Sequence, residues 1–156
     1  ALSAMTTTRV NDIETEDCAA ISFEMRSGAL CSSNITLGAA RDETRLRFVF
    51  EHLTATSDTE PYAPGAQAWT FTARDPKQQV EIDAVLAQTP EEAVGFVGLF
   101  TEIGKALNGK LNSVVTLKDG LASVELVTAI YHAARTGTRV ALPLGLDHPL
   151  RKGWLP

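Results

Sequence analysis

Apolar periodicity changes once along the chain, and that change limits the folds open to it. Up to about residue 90 the apolar residues recur at every second position between turn residues; beyond it they recur every three or four. Strand patterns followed by helix patterns point to an α+β fold: an open-faced, mainly antiparallel sheet with helices packed on one face. The 156 residues suffice for a core, and a single domain over 1–156 is expected.

The stretch "CAAISFEMRSGALCSSNITL" reads as a hairpin turning at Ser27-Gly28. That register sets Glu24 against Cys31 and Cys18 against Leu37. It gives a core face of Ile21, Phe23, Met25 and Leu30. The second face carries Cys18, Ala20, Ser22, Glu24, Arg26, Cys31 and Ser33, extended by Ile35 and Leu37. The sulfurs then share a face about 20 Å apart at ~3.3 Å per residue, beyond the roughly 7 Å that a disulfide spans. Reduced thiols and a cytoplasmic address follow. The apolar end of the second face predicts subunit pairing across it. Further on, Leu46, Phe48 and Phe50 alternate with Arg45, Arg47 and Val49, and Thr54 and Thr56 resume after a turn at Glu51-His52. Trp69 and Phe71 share one face of a later strand. "QQVEIDAVLA" fits a strand or a lead-in to a helix, and periodicity does not decide between them.

Two helices are predicted after that. "TPEEAVGFVGLFTEIGKALNGK" offers Thr89 as N-cap, Pro90 in the first turn with two glutamates, and Asn108-Gly109 as the stop. Val97, Phe100, Ile103 (or Gly104) and Leu107 form its apolar stripe. "LKDGLASVELVTAIYHAARTG" carries Leu121, Val124, Val127, Ile130, Tyr131 and Ala134 at helical spacing, with Gly137 as C-cap. "TRVALPL" then reads as a short strand before a proline-punctuated tail.

The formal net charge is −5, with lysines and arginines scattered, which argues against nucleic acid or an anionic membrane as partner. No apolar run approaches the roughly 20 residues of a membrane span. The start, "ALSAMTTTRV", lacks the basic and apolar pattern of a signal peptide. Dinucleotide, P-loop and nucleophile-elbow glycine motifs are missing. His52, His132 and His148 lack the spacing of a zinc helix, so no metal site is expected.

The helix at Asp119–Gly137 concentrates Ser123, Glu125, Tyr131, His132 and Arg135, side-chain types able to do acid-base chemistry. Helical spacing separates them. Tyr131 falls on the apolar stripe as a core tyrosine with its hydroxyl near the surface. Ser123 serves the first turn, Arg135 suits the negative end of the dipole, and Glu125 and His132 go to other sides. His132 is expected at a surface or an interface. No catalytic or cofactor-binding residue is assigned. The substrate-binding candidates are Tyr62, His148 and Trp154, because binding residues favour loops on a rigid scaffold. Loop-stapling is the plainer reading for Tyr62 and Trp154, and simple exposure for His52.

Several of these residues also carry a resemblance. Asp119-Gly120, Ser123-Val124-Glu125, Tyr131, Ala134-Arg135-Thr136-Gly137, Arg139, Val140 and Leu142-Pro143, followed by "DHPLRKGW", resemble the C-terminal part of Gfo/Idh/MocA-type oxidoreductases. So do Glu16-Asp17, the strand Ile21 to Met25, and Gly28. The likeness runs from about Val10 to Trp154 and is weaker over Asp42 to Gln88. At Glu51-His52 relatives often carry a glycine.

The resemblance implies the C-terminal, substrate-binding and oligomerisation domain of a nicotinamide-dependent dehydrogenase acting on a sugar, polyol or related carbinol. NAD or NADP would sit on an N-terminal Rossmann domain absent from this chain. Neither the Glu-Lys-Pro lysine nor the catalytic histidine of the family occurs here, so the fragment alone is expected to be inactive. A homodimer or tetramer through the open sheet face is implied as well. The alternative is a stand-alone small-molecule binding or dimerisation module without catalysis.

Overall fold

The computed structural model describes residues 1–64, 68–90 and 92–153. The chain forms two compact units: Ala1–Ala39 with the chain from Val115 onward, and Ala40–Val114. Each holds a three-stranded antiparallel sheet, and three α-helices complete an α+β fold.

In the first unit, β1 (Leu2–Thr7), β2 (Cys18–Glu24) and β3 (Leu30–Thr36) lie in the order β1-β2-β3. The hairpin forms where expected, but one residue out of the expected register. Glu24 pairs with Leu30, Phe23 with Cys31 and Cys18 with Thr36. Gly28 is the cause. At φ 87° it closes a three-residue loop, Arg26–Gly28, between Met25 and Ala29, whose N–H···O bond is 2.9 Å. A one-residue slip moves side chains to the other face. Leu30 therefore joins the open face, 83% exposed, while Cys31, Ser33 and Ile35 turn to the opposite side. The two cysteines occupy opposite faces, and both thiols are free. The open face is consequently small and polar, with Ser22, Ser32, Asn34 and Thr36 beside Met5 and Leu30.

The long helix, here αC (Leu117–Thr136), covers the other face. It begins with a reciprocal capping box between Thr116 and Asp119 and stops at Gly137, φ 63°, as expected. Its buried side matches the stripe read by spacing only in part: Ile130 and Ala134 pack against the core. Ala129 and Ala133 are the most buried residues, against Leu2, Ala4 and Ile21, with Leu126 and Ile130 beside them. Leu121 and Val124 remain more than half exposed. Alanines at the contact let the helix lie close to the strands, so the larger residues flank it. "TRVALPL" contributes one antiparallel bridge, Val140 to Leu2, rather than a strand; Pro143 has no N–H with which to extend it.

Asp17 closes the loop between β1 and β2. Its carboxylate is buried and accepts N–H bonds from Arg9 (2.9 Å), Val10 (2.8 Å) and Asn11 (2.7 Å), plus the Asn11 side-chain amide. These donors, the Arg9 N–H first, hold its carboxyl well below the usual carboxylate range.

The second unit contains β4 (Arg47–Val49), β5 (Leu53–Thr56) and β6 (Thr70–Ala73), in the order β4-β5-β6. The turn at Glu51-His52 forms as read, with Phe50 N–H to Leu53 O at 2.8 Å. Phe48, Ala55 and Phe71 share a face, and Trp69 stacks on Phe48 at 5.9 Å. The undecided stretch "QQVEIDAVLA" is helix αA, Pro76–Gln88. Asp75 caps it through the Lys77 N–H and Pro76 opens it, a start signal as clear as any in the chain. Gln79 ties it to β6: its side chain accepts from Ala73 N–H (2.7 Å) and donates to Phe71 O (3.1 Å).

Thr89 ends αA instead of starting the next helix. Its N–H reaches Leu86 O at 3.1 Å, and Pro90 favours the extended backbone found at Thr89. Helix αB runs Gly95–Leu107 and ends at Asn108-Gly109 as read. Of the two glutamates placed in its first turn, Glu92 precedes the helix and Glu91 lies outside the described residues. Glu102 accepts from the Lys105 ammonium and from Ser113, which lower its pKa to about 2. Val97, Phe100 and Leu107, read as a core stripe, are all more than two-thirds exposed.

Because Asp17 ionises more readily folded than unfolded, its contribution is present above the unfolded carboxyl pKa of about 3.9 and fades as pH falls through the lower folded value. Stability of the chain therefore drops below about pH 4. Asp17→Asn should lower the denaturation midpoint at neutral pH and flatten that acid limb. Parallel pH–stability curves for both proteins would contradict this.

Candidate functional site

The tail after αC folds back on the helix and builds a cleft there. Glu125, on αC, accepts the Leu144 N–H at 2.9 Å and faces the Arg151 guanidinium at 3.5 Å. Arg151 also donates from Nε to Gly145 O at 2.9 Å, so the arginine clamps both arms of the tail loop. The cleft between helix and tail measures about 400 Å³ and is walled by Leu121, Val124, Leu144 and Leu150, with Glu125, Arg151 and Lys152 supplying charge. Apolar walls with a few fixed polar groups are the usual make-up of a small-molecule recess.

His148 stands at the turn into this clamp. Its Nδ1 accepts the Leu150 N–H at 3.3 Å and caps a short 3₁₀ turn, Pro149–Lys152. The ring meets His132 of αC edge-on, with centroids 4.6 Å apart. Its Nε2 is buried with no hydrogen-bond partner among the described residues. His132, expected at a surface or interface, is thus half-buried against a second imidazole.

Tyr131 behaves as a core tyrosine with its hydroxyl at the edge. The hydroxyl donates to Glu16, and Arg135 lies over the ring with Cζ 5.8 Å from the centroid. The Glu16 carboxylate, and burial after it, raise the phenol pKa above its ordinary value. An acid that holds its proton more tightly is a poor proton donor at neutral pH. The arrangement therefore works as a strut between αC and the loop before β2.

Of the residues expected to bind substrate, Tyr62 and His148 belong to different units, and Trp154 lies outside the described residues. Tyr62 is 86% exposed, so burial does not staple it to its loop. It sits at φ 63°, its N–H reaching Thr44 Oγ1 and its hydroxyl reaching Asp42, each at 3.3 Å. A positive φ is uncommon for a bulky side chain and marks a position held by its surroundings. His52 is exposed, as read. The Glu125–Arg151 pair had no local signal in the sequence, since its members lie 26 positions apart and meet only through the fold.

All strand pairs between the named strands are antiparallel. The parallel βαβ crevice that cradles a dinucleotide is not formed by the described residues, and these residues do not fit NAD. No three His, Cys, Asp or Glu side chains among them are grouped to hold a metal ion. No helix among them is long and apolar enough to cross a membrane.

No protein-family model and no curated protein matches the chain. Solved structures do. The WlbA dehydrogenase from Bordetella pertussis, in complex with NADH and UDP-GlcNAcA, is 25% identical with a TM-score of 0.66. The WlbA dehydrogenase from Chromobacterium violaceum, with the same two ligands, is 28% identical at the same TM-score. Each alignment covers 92% of this chain and 40% of the other. The aldose-aldose oxidoreductase from Caulobacter crescentus, complexed with glycerol, shares the fold at 22% identity and a TM-score of 0.65, over 90% of this chain and 40% of its own. The chain thus spans about 40% of the length of the enzymes it matches.

The clamp predicts its own fragility. Glu125→Ala leaves the Leu144 N–H without its acceptor and should cost about 1–3 kcal/mol in chemical denaturation. Glu125→Gln, which keeps an acceptor, should recover much of that. Equal midpoints for Glu125→Ala and the parent chain would show that the clamp contributes nothing.

Proposed function

We propose that this chain, a C-terminal domain of the Gfo/Idh/MocA type, is the substrate-binding and oligomerisation domain of a nicotinamide-dependent oxidoreductase acting on a sugar, polyol or related carbinol. The supporting observation is that 92% of the chain aligns with 40% of two dehydrogenases whose structures hold NADH and a nucleotide sugar. In this reading residues 1–156 act as one domain that shapes the sugar side of the site. NAD or NADP, held on a Rossmann domain of the parent polypeptide, would supply the hydride acceptor for a carbinol substrate. Tyr62, His148 and Trp154 are the residues offered to substrate hydroxyls. The open face of β1-β2-β3 is the surface offered to a second subunit, its Ser, Thr and Asn side chains suiting a polar interface around Met5 and Leu30.

The test is the full-length polypeptide that carries this chain, assayed at 340 nm with NAD and NADP against a panel of aldoses, polyols and nucleotide sugars. Turnover is expected with a sugar substrate, and none from the 156-residue chain alone. Tyr62→Phe should raise KM severalfold, as loss of a hydrogen bond of about 0.5–1.5 kcal/mol predicts, with kcat kept. Sedimentation of the full-length protein should give two or four subunits. NADH production by this chain alone, or no sugar turnover by the full polypeptide, would overturn the assignment; a single-subunit mass would overturn the oligomer.

A further inference from the structure

The tail clamp depends on one imidazole being neutral. His148 Nδ1 accepts the Leu150 N–H at 3.3 Å, so this nitrogen must present a lone pair and the proton must sit on Nε2. Nε2 is buried and has no acceptor among the described residues. A second proton, on Nδ1, would put two N–H donors face to face and remove the cap of the 3₁₀ turn. Among the described residues the cation would then have no hydrogen-bond acceptor at either nitrogen, next to another imidazole 4.6 Å away.

The charged groups around it do not offset that cost. On αC, Glu125 is already engaged by Arg151 and the Leu144 N–H, and Arg135 lies over Tyr131. On the tail, Arg151 and Lys152 add positive charge within the same turn, and the Asp147 carboxylate lies against Gly145. From this geometry we infer a pH-sensitive latch: protonation of His148 releases the Pro149–Lys152 turn from αC, and with it the wall of the cleft that Leu150 and Arg151 supply. The latch is closed while the His148 ring is neutral and opens when the ring takes its second proton. It goes beyond the proposed enzymatic role, and neither nucleotide nor sugar enters its test.

The test is a series of amide correlation spectra of the 156-residue chain, acidified from neutral pH until the His148 ring signals have shifted. The Leu150, Arg151 and Gly153 amides should move together with the His148 ring signals. His148→Asn keeps a side-chain acceptor at the cap and cannot titrate, so its Leu150 amide should stay still. His132→Gln leaves the cap in place, and its Leu150 amide should still move. A stationary Leu150 amide in the parent chain overturns the latch. So does His148→Asn moving as far as the parent, or His132→Gln alone abolishing the shift. If His148→Asn does not fold, the parent titration decides alone: Leu150 either follows the His148 ring or does not.

Discussion

Two adjacent acids, Glu16 and Asp17, tie the first unit together. The loop between β1 and β2 has no regular ladder of its own, so its N–H groups need acceptors. The Asp17 carboxylate supplies them to Arg9, Val10 and Asn11. The Asp17 backbone bonds outward to Thr7 and Leu37, joining the loop to the ends of β1 and β3. One residue earlier, Glu16 takes the Tyr131 hydroxyl and fixes αC against that loop. Sheet, loop and helix thus meet at two neighbouring side chains. The Glu-Asp pair, noticed in the sequence only as a family likeness, has a physical reason to be there.

Local chemistry was the legible part of this chain. The turn at Glu51-His52, the αC stop at Gly137 and the αB stop at Asn108-Gly109 all form from residues whose preferences act within a few positions. The β2-β3 register slipped because Gly28 permits a loop one residue longer than the two-residue turn assumed. Helix αA was undecided because its apolar residues do not make a clear stripe, though Asp75-Pro76 marks its start without reference to periodicity. Thr89-Pro90 reads equally well as an end or a beginning, and the preceding helix claimed it.

Contacts distant in sequence were not legible. The stripe predicted for αC counted large side chains, but Ala129 and Ala133 are what the sheet accepts at close range. Helical spacing places Glu125 only on a side away from the apolar stripe, and His132 at a surface or interface. Each acquires its partner only when the tail returns, through Leu144 and Arg151 in one case and His148 in the other. The expected site fared in the same way: His148 became part of a built environment, whereas Tyr62 stands exposed in the second unit.

The catalytic cluster suggested by the αC sequence therefore resolves into structural roles. Tyr131 braces, Glu125 anchors the tail, and Arg135 lies over the tyrosine ring. Under the proposed function, the domain would contribute shape and hydrogen bonds to a reaction whose hydride acceptor is held elsewhere. A crystal structure of the full-length polypeptide with NADH and a nucleotide sugar tests that account most directly. The nucleotide is expected wholly on residues outside this chain and the sugar in contact with residues inside it. A sugar touching none of residues 1–156, or NADH seated on them, would contradict it.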